Sequence, residues 1–182
     1  MATQSLVQYL ETERFSAFPG GASEGIDLDA MNRRQVEVYL SGEVLNAGDV
    51  VALDFATAAL TDGQRAIQVV QALFDTGGGA LFDRRAVVGI VLGPADAESD
   101  DGSGGVVSGG KALVCTRGLC EANLLAGVTQ GKALYVTATA GSMDDVIPAP
   151  QPDAAGVPVA IAVEAGPAGA GPGTVYVIAR HT

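Results

Sequence analysis

Apolar residues recur along most of this chain in short blocks, with glycines between them. From about residue 33 the blocks fall at 35–40, 49–56, 66–74, 86–92, 112–115, 132–140, 157–164 and 174–179. Most are short runs rich in Val, Ile, Thr or Tyr with turn residues at their ends, which predicts strands. A glycine turn feeding a strand repeats at Gly48-Asp49-Val50-Val51, Gly131-Lys132-Ala133-Leu134 and Gly173-Thr174-Val175-Tyr176. Glycine there admits φ > 0, and the residues that follow suit a pleated surface. Two blocks, VVGIVLG and VPVAIAVEA, are apolar almost throughout, which predicts burial on both faces. The block at 66–74 has two readings. Thr61-Asp62-Gly63-Gln64 resembles a capping box, with Ile67, Val70 and Phe74 as a helical stripe. The flanking turn signals favour a strand.

No strand–helix alternation of the parallel α/β kind is visible. The pattern predicts an all-β protein, a small β-barrel or sandwich of about eight short strands. Residues 1–32 differ, carrying scattered apolar side chains around Pro19-Gly20-Gly21 with no sustained period. They read as an extended N-terminal arm, and 33–182 as the body. A proline-rich connection near 147–158, with Pro148, Pro150 and Pro152, favours an extended path over the surface.

A chain of 182 residues suits one domain with a core of its own. Its 10 Lys and Arg against 21 Asp and Glu, net −11, oppose nucleic acid and anionic membrane surfaces as partners. With no Trp and 5% aromatics, platforms for stacking bases or sugars are scarce. The first fifteen residues lack a basic segment followed by an apolar one, and no apolar run is long enough to span a bilayer, so the expectation is synthesis in a reducing cytoplasm. The spacing of Cys115 and Cys120 fits neither a redox pair nor half of a zinc site. They read as two buried small hydrophobes or, alternatively, as a bridge across a tight hairpin.

Three motifs invite chemistry. Gly105, Gly110 and Lys111 have phosphate-loop spacing, but Ala112 stands where a hydroxyl must hold Mg²⁺, and a strand follows instead of a helix. Gly21-Ala22-Ser23-Glu24-Gly25 has the form of a nucleophile elbow. It lacks the strand before and the helix after, and the sole histidine, His181, is the penultimate residue. The acidic run Asp96-Ala97-Glu98-Ser99-Asp100-Asp101 fails the calcium-loop pattern, with Asp101 at the glycine position and Val107 at the bidentate one. It reads either as a looser oxygen-ligand site or, more ordinarily, as a solvated loop that discourages edge-to-edge aggregation. No catalytic constellation, cofactor site or metal site is expected, and a non-enzymatic, structural role is.

The stretch GVVSGGKALVCTRGLCEANLLAGVTQGKALYVTATAGSM resembles the capsid decoration, or cement, proteins of tailed bacteriophages. The resemblance lies in Gly127-Val128-Thr129-Gln130-Gly131, Leu134 and Thr139-Ala140-Gly141, with LNAGDVVALD and AVVGIVLG upstream. Downstream, VPVAIAVEA and GTVYVIA resemble the family's closing pair, with Pro158 where a glycine often sits. The likeness covers about residues 35–180 and rests on patterning. It implies a β-rich barrel on the outside of an icosahedral shell, with the major capsid protein and copies of itself, as a homotrimer, for partners. Leu6, Val7, Leu10, Phe15 and Phe18 of the arm are then the expected partner contacts. The alternative is a head-fibre or tail-spike base, or a β-barrel module binding a host surface or carbohydrate. Such a module should cluster aromatic residues, whereas Tyr9, Tyr39, Tyr135 and Tyr176 are dispersed along the sequence.

Overall fold

The structure, a computed structural model, describes residues 34–54, 62–65, 67–73, 87–146 and 158–178. Among the described residues there are nine strands: β1 (Gln35–Ser41), β2 (Val50–Leu53), β3 (Gln68–Gln71), β4 (Val87–Pro94), β5 (Lys111–Leu124), β6 (Ala133–Val136), β7 (Met143–Asp144), β8 (Ala160–Ala162) and β9 (Gly171–Val177). A single helical turn, α1 (Asp62–Arg65), precedes β3. The all-β expectation holds, with nine strands rather than about eight. The strand reading of 66–74 holds at Gln68–Gln71. The helical stripe fails there, because Val70 lies in β3 and Ile67 outside the helical turn, which covers only Asp62–Arg65, while Phe74 lies outside the described residues. Most of the proline-rich connection, and all of residues 1–33, lie outside the described residues.

The strands form one sheet in the order β1-β3-β2-β4-β5-β7-β6-β8-β9, with additional pairings β1–β5 and β5–β9. Those two extra ladders close two five-stranded rings that share β5. The first ring, β1-β3-β2-β4-β5, encloses Tyr39, Val51, Val69, Val91, Ala112 and Val114, at least one side chain from every strand. Leu45 and Val106, paired across an isolated bridge, add to that core. The second ring joins β7 to β5 through the single pair Leu124–Met143. Its core takes Ala122, Leu124, Leu134, Met143, Ala160 and Val175 and continues onto Val50, Ala52 and Ile90 of the first ring. The rings therefore pack on one another through one apolar cluster. A five-stranded ring is narrow, because barrel diameter grows with strand number. Alanine and valine make up much of both interiors, and a few larger side chains, Tyr39, Leu45, Leu124, Leu134 and Met143 among them, fill the remainder.

The 112–115 block proves to be the start of a fourteen-residue strand. The bulge that bends β5 explains why its second half did not read as strand. Val36 pairs with Cys115 and Gln35 with Arg117, leaving Thr116 as an extra residue. Such an insertion shifts side-chain alternation by one. Accordingly Cys115 before the bulge, and Cys120 and Leu124 after it, all face the second core. Gly118, at φ 104°, continues the bend where a side chain would be strained. No hairpin separates the two cysteines. Both lie on β5, both are buried, and they are not joined in a disulfide.

Burial on both faces holds for VVGIVLG, where Ile90 enters one core and Val91 the other. It fails for VPVAIAVEA, in which Ile161 and Val163 are each 39% exposed. β8 lines the second ring on its inner side only, so every other side chain faces outward. Of the three glycine turns, Gly48 and Gly131 have positive φ, whereas Gly173 lies within β9 beside Leu124.

Candidate functional site

The loop from β4 to β5 holds two of the sequence motifs, and its side chains are engaged by the loop's own donors. Asp96 accepts from the Ser99 amide at 3.0 Å and from the Lys111 ammonium at 2.9 Å, as well as from the Ser99 hydroxyl. Asp100 accepts from the Gly102 and Gly104 amides, and Asp101 from the amides of Ser103 and Gly105 and the hydroxyl of Ser103. The Ser99 and Ser103 hydroxyls hold the Asp96 and Asp101 carboxyls below their usual range, assisted by Lys111 at Asp96. These carboxylates order their own backbone, as Asx turns do. Lys111 begins a strand, and its ammonium is engaged by Asp96 rather than aimed at a cradle of amides. The reading as a solvated, self-ordered loop fits this geometry.

Asp49 is only 4% exposed, and it marks a second polar cluster. It accepts from the Asn46 amide at 2.8 Å, Gln71 Nε2 at 2.7 Å and Asn123 Nδ2 at 2.9 Å. Three neutral amide donors tie the turn before β2 to β3 and β5. Such a carboxylate is a clamp, with no base or nucleophile in the cluster for it to activate. Both thiols are buried. A hydrogen bond with Cys115, then burial, push the Cys120 thiol up, away from the nucleophilic thiolate.

A cleft of about 470 Å³ lies where the rings meet, lined among others by Arg34, Gly48, Leu92, Leu119, Glu121 and Thr174. It contains no aromatic side chain, and the Arg34 Nε donates to the Leu119 carbonyl at 2.9 Å. Among the described residues, no group of three or more His, Cys, Asp or Glu side chains is placed to hold a metal ion. No helix among them is long and apolar enough to cross a membrane.

Apolar surface is the more informative feature. On the second ring, Leu119 pairs with Tyr176, Tyr176 with Ile161, and Ile161 with Ala133. Their chain neighbours Cys120, Val175, Val177, Ala160, Ala162 and Leu134 all face the core. The row therefore crosses the outer surface of four strands, β5, β9, β8 and β6. Tyr135 and Val163, two residues along from Ala133 and Ile161, extend the same face. Two tyrosines that are far apart in sequence thus share one surface, which linear spacing concealed. A second strip lies outside the first ring, where Val38 is 55% and Ile67 44% exposed beside the partly exposed Leu40, Val70 and Leu113. Tyr39 goes inward instead, donating to Glu37 at 2.7 Å.

The arm residues Leu6, Val7, Leu10, Phe15 and Phe18 lie outside the described residues, as do Tyr9, Ser23 and His181. The sequence reading did not identify the outer face of the second ring. Its signal was present in the unbroken run VPVAIAVEA, where Ile161 and Val163 alternate with core alanines. Comparison with models of protein families and with curated proteins finds no match.

Proposed function

We propose that this chain is a non-enzymatic structural protein of a tailed-bacteriophage virion. In this reading it binds the outer surface of the capsid and cements the shell, as a homotrimer made in the host cytoplasm. The observation that carries the reading is how the polar groups are used. The loop carboxylates and Asp49 are engaged by the protein's own donors, while two outward sheet faces carry Val, Ile, Leu and Tyr. Contiguous apolar surface of this kind marks protein contact. The decoration-protein patterning at 35–180 and the net charge of −11, suited to a surface away from packaged DNA, point the same way. The major capsid protein is the partner, and the arm contributes Leu6, Val7, Leu10, Phe15 and Phe18. Burying five such side chains contributes on the order of 7–10 kcal/mol before ordering costs. Ordering about fifteen residues, at roughly 1 kcal/mol or more each, offsets much or all of that, so attachment relies on several arms acting together.

The test is to add the protein to undecorated shells of the virus that encodes it, then measure occupancy by electron microscopy and shell melting by calorimetry. Saturable occupancy at symmetric positions and a raised shell melting temperature are expected. Absence of binding to those shells at micromolar protein overturns the proposal. Deletion of residues 2–20 should lower occupancy, and unchanged occupancy removes the arm as anchor.

The placing of Tyr135 and Tyr176 on one face favours a second reading, a fibre or spike base or a module for host surface or carbohydrate. Binding to host cells or a glycan array, lost in Tyr176→Ala, distinguishes it.

A further inference from the structure

We propose that Cys115 and Cys120 form a dithiol site, which a small disulfide entering the cleft between the rings oxidises to a bond joining one ring to the other. The two residues stand five apart on β5. On a straight strand that separation spans roughly 16 Å and puts the side chains on opposite faces. The bulge at Thr116 removes one obstacle, because the extra residue turns both side chains into the same core. The bend that continues at Gly118, with φ 104°, removes the other. The two thiols share a hydrogen bond, so their sulfurs are already neighbours.

Their ladders differ. Cys115 pairs with Val36 of β1 and Ile90 of β4, in the first ring, and Cys120 with Val175 of β9, in the second. A bond between them therefore crosses the joint of the two rings.

Unequal access sets the order of events. Cys120 is 5% exposed and lines the cleft of about 470 Å³, whereas Cys115 is wholly buried. Cys120 loses its proton to solvent, and its thiolate attacks one sulfur of the small disulfide. The S–S bond of the reagent breaks, one reagent thiolate leaves and takes up a proton, and a mixed disulfide remains on Cys120. Cys115 then gives its proton to water and attacks the Cys120 sulfur, expelling the second reagent thiolate, which is protonated in turn. The two protein thiols lose two electrons, and one reagent disulfide is reduced to two thiols. The hydrogen bond with Cys115 and then burial, which raise the Cys120 thiol, make the exchange slow, on the order of hours. The pair is a cross-linking site and not a fast sensor. This inference does not depend on the shell reading.

The test treats the full-length reduced protein in native buffer with bis(hydroxyethyl) disulfide. Arg117 lies between the cysteines, so trypsin separates residues 112–117 from 118–132 unless a disulfide holds them together. After oxidation, blocking of remaining thiols and digestion, the two peptides should travel as one species that splits on reduction. Cys115→Ala should stop at the mixed disulfide on Cys120, and Cys120→Ala should take up the reagent at least about tenfold more slowly than Cys115→Ala. Should either variant fail to fold, alkylation of the wild type with iodoacetamide carries the same test, Cys120 being modified before Cys115. Four outcomes overturn the proposal: no linked peptide in the wild type, linkage that forms only in urea, linkage between chains instead of within one, and entry at Cys115 as fast as at Cys120.

Discussion

A methyl group added at position 89 would run into the carbonyl of Cys115 across the β4–β5 ladder, with Cys115 C at 2.9 Å and Val114 Cγ1 at 3.0 Å. The obstacle is backbone held by paired strands, which cannot rotate aside as a side chain can. Gly89→Ala should therefore destabilise the protein by at least about 1–3 kcal/mol, the usual cost of overpacking. Gly63 has nothing within 4 Å of the corresponding position and lies in α1. There Gly63→Ala should be neutral or stabilising by up to about 1 kcal/mol. Urea melts of the two variants beside the wild type check the pair, and equal effects would show that the β4–β5 contact does not limit the site. Both positions read as ordinary glycines in a strand block and a turn. Only the three-dimensional neighbourhood separates them.

Charge acts at the level of the β4–β5 loop. The Ser103 hydroxyl and the Ser103 and Gly105 amides hold the Asp101 carboxyl below the usual range. The sign follows from that direction. A group whose folded pKa is depressed contributes order above its unfolded value, about 3.9, and loses it as pH falls through the folded value. Lys111 is shifted the other way by Asp96, so its contribution is present below about pH 10 and is lost above its folded value. The loop should accordingly stay ordered across neutral and mildly acidic pH and loosen only below about pH 4. Amide chemical shifts of Ser103 and Gly105 during an acid titration check this, and a transition between pH 7 and 5 would contradict it. Asp101→Ala should loosen the same amides at neutral pH.

At the scale of the whole molecule, the closed rings leave little sheet edge among the described residues, so the proposed homotrimer would have to associate through outward faces. The strip of Val38, Leu40, Val70, Leu113 and Ile67 on the first ring suits contact between copies. Light scattering at micromolar concentration should give three times the chain mass of 18.2 kDa. Val38→Glu should shift the distribution toward monomer, because an unpaired charge in an apolar contact is costly. A monomeric wild type counts against a homotrimer. A trimer indifferent to Val38→Glu places the contact elsewhere.

The sequence by itself determined the class of structure and most strand positions, because both follow from local rules. Short apolar blocks with β-branched residues and turn glycines can bury a face only as strands. The rejection of the phosphate-loop motif also needed nothing more than Ala112 and the strand after it. Tertiary structure decided which strands are neighbours, since one block can pair with many others at similar local cost. The closure of two rings on β5 depends on β1–β5 and β5–β9 ladders between segments distant in the chain. The bulge at Thr116 then set which side chains of β5 enter which core. The candidate binding face arose in the same way. Leu119, Ala133, Ile161 and Tyr176 come from four separate blocks, and only strand register lines them up in a row.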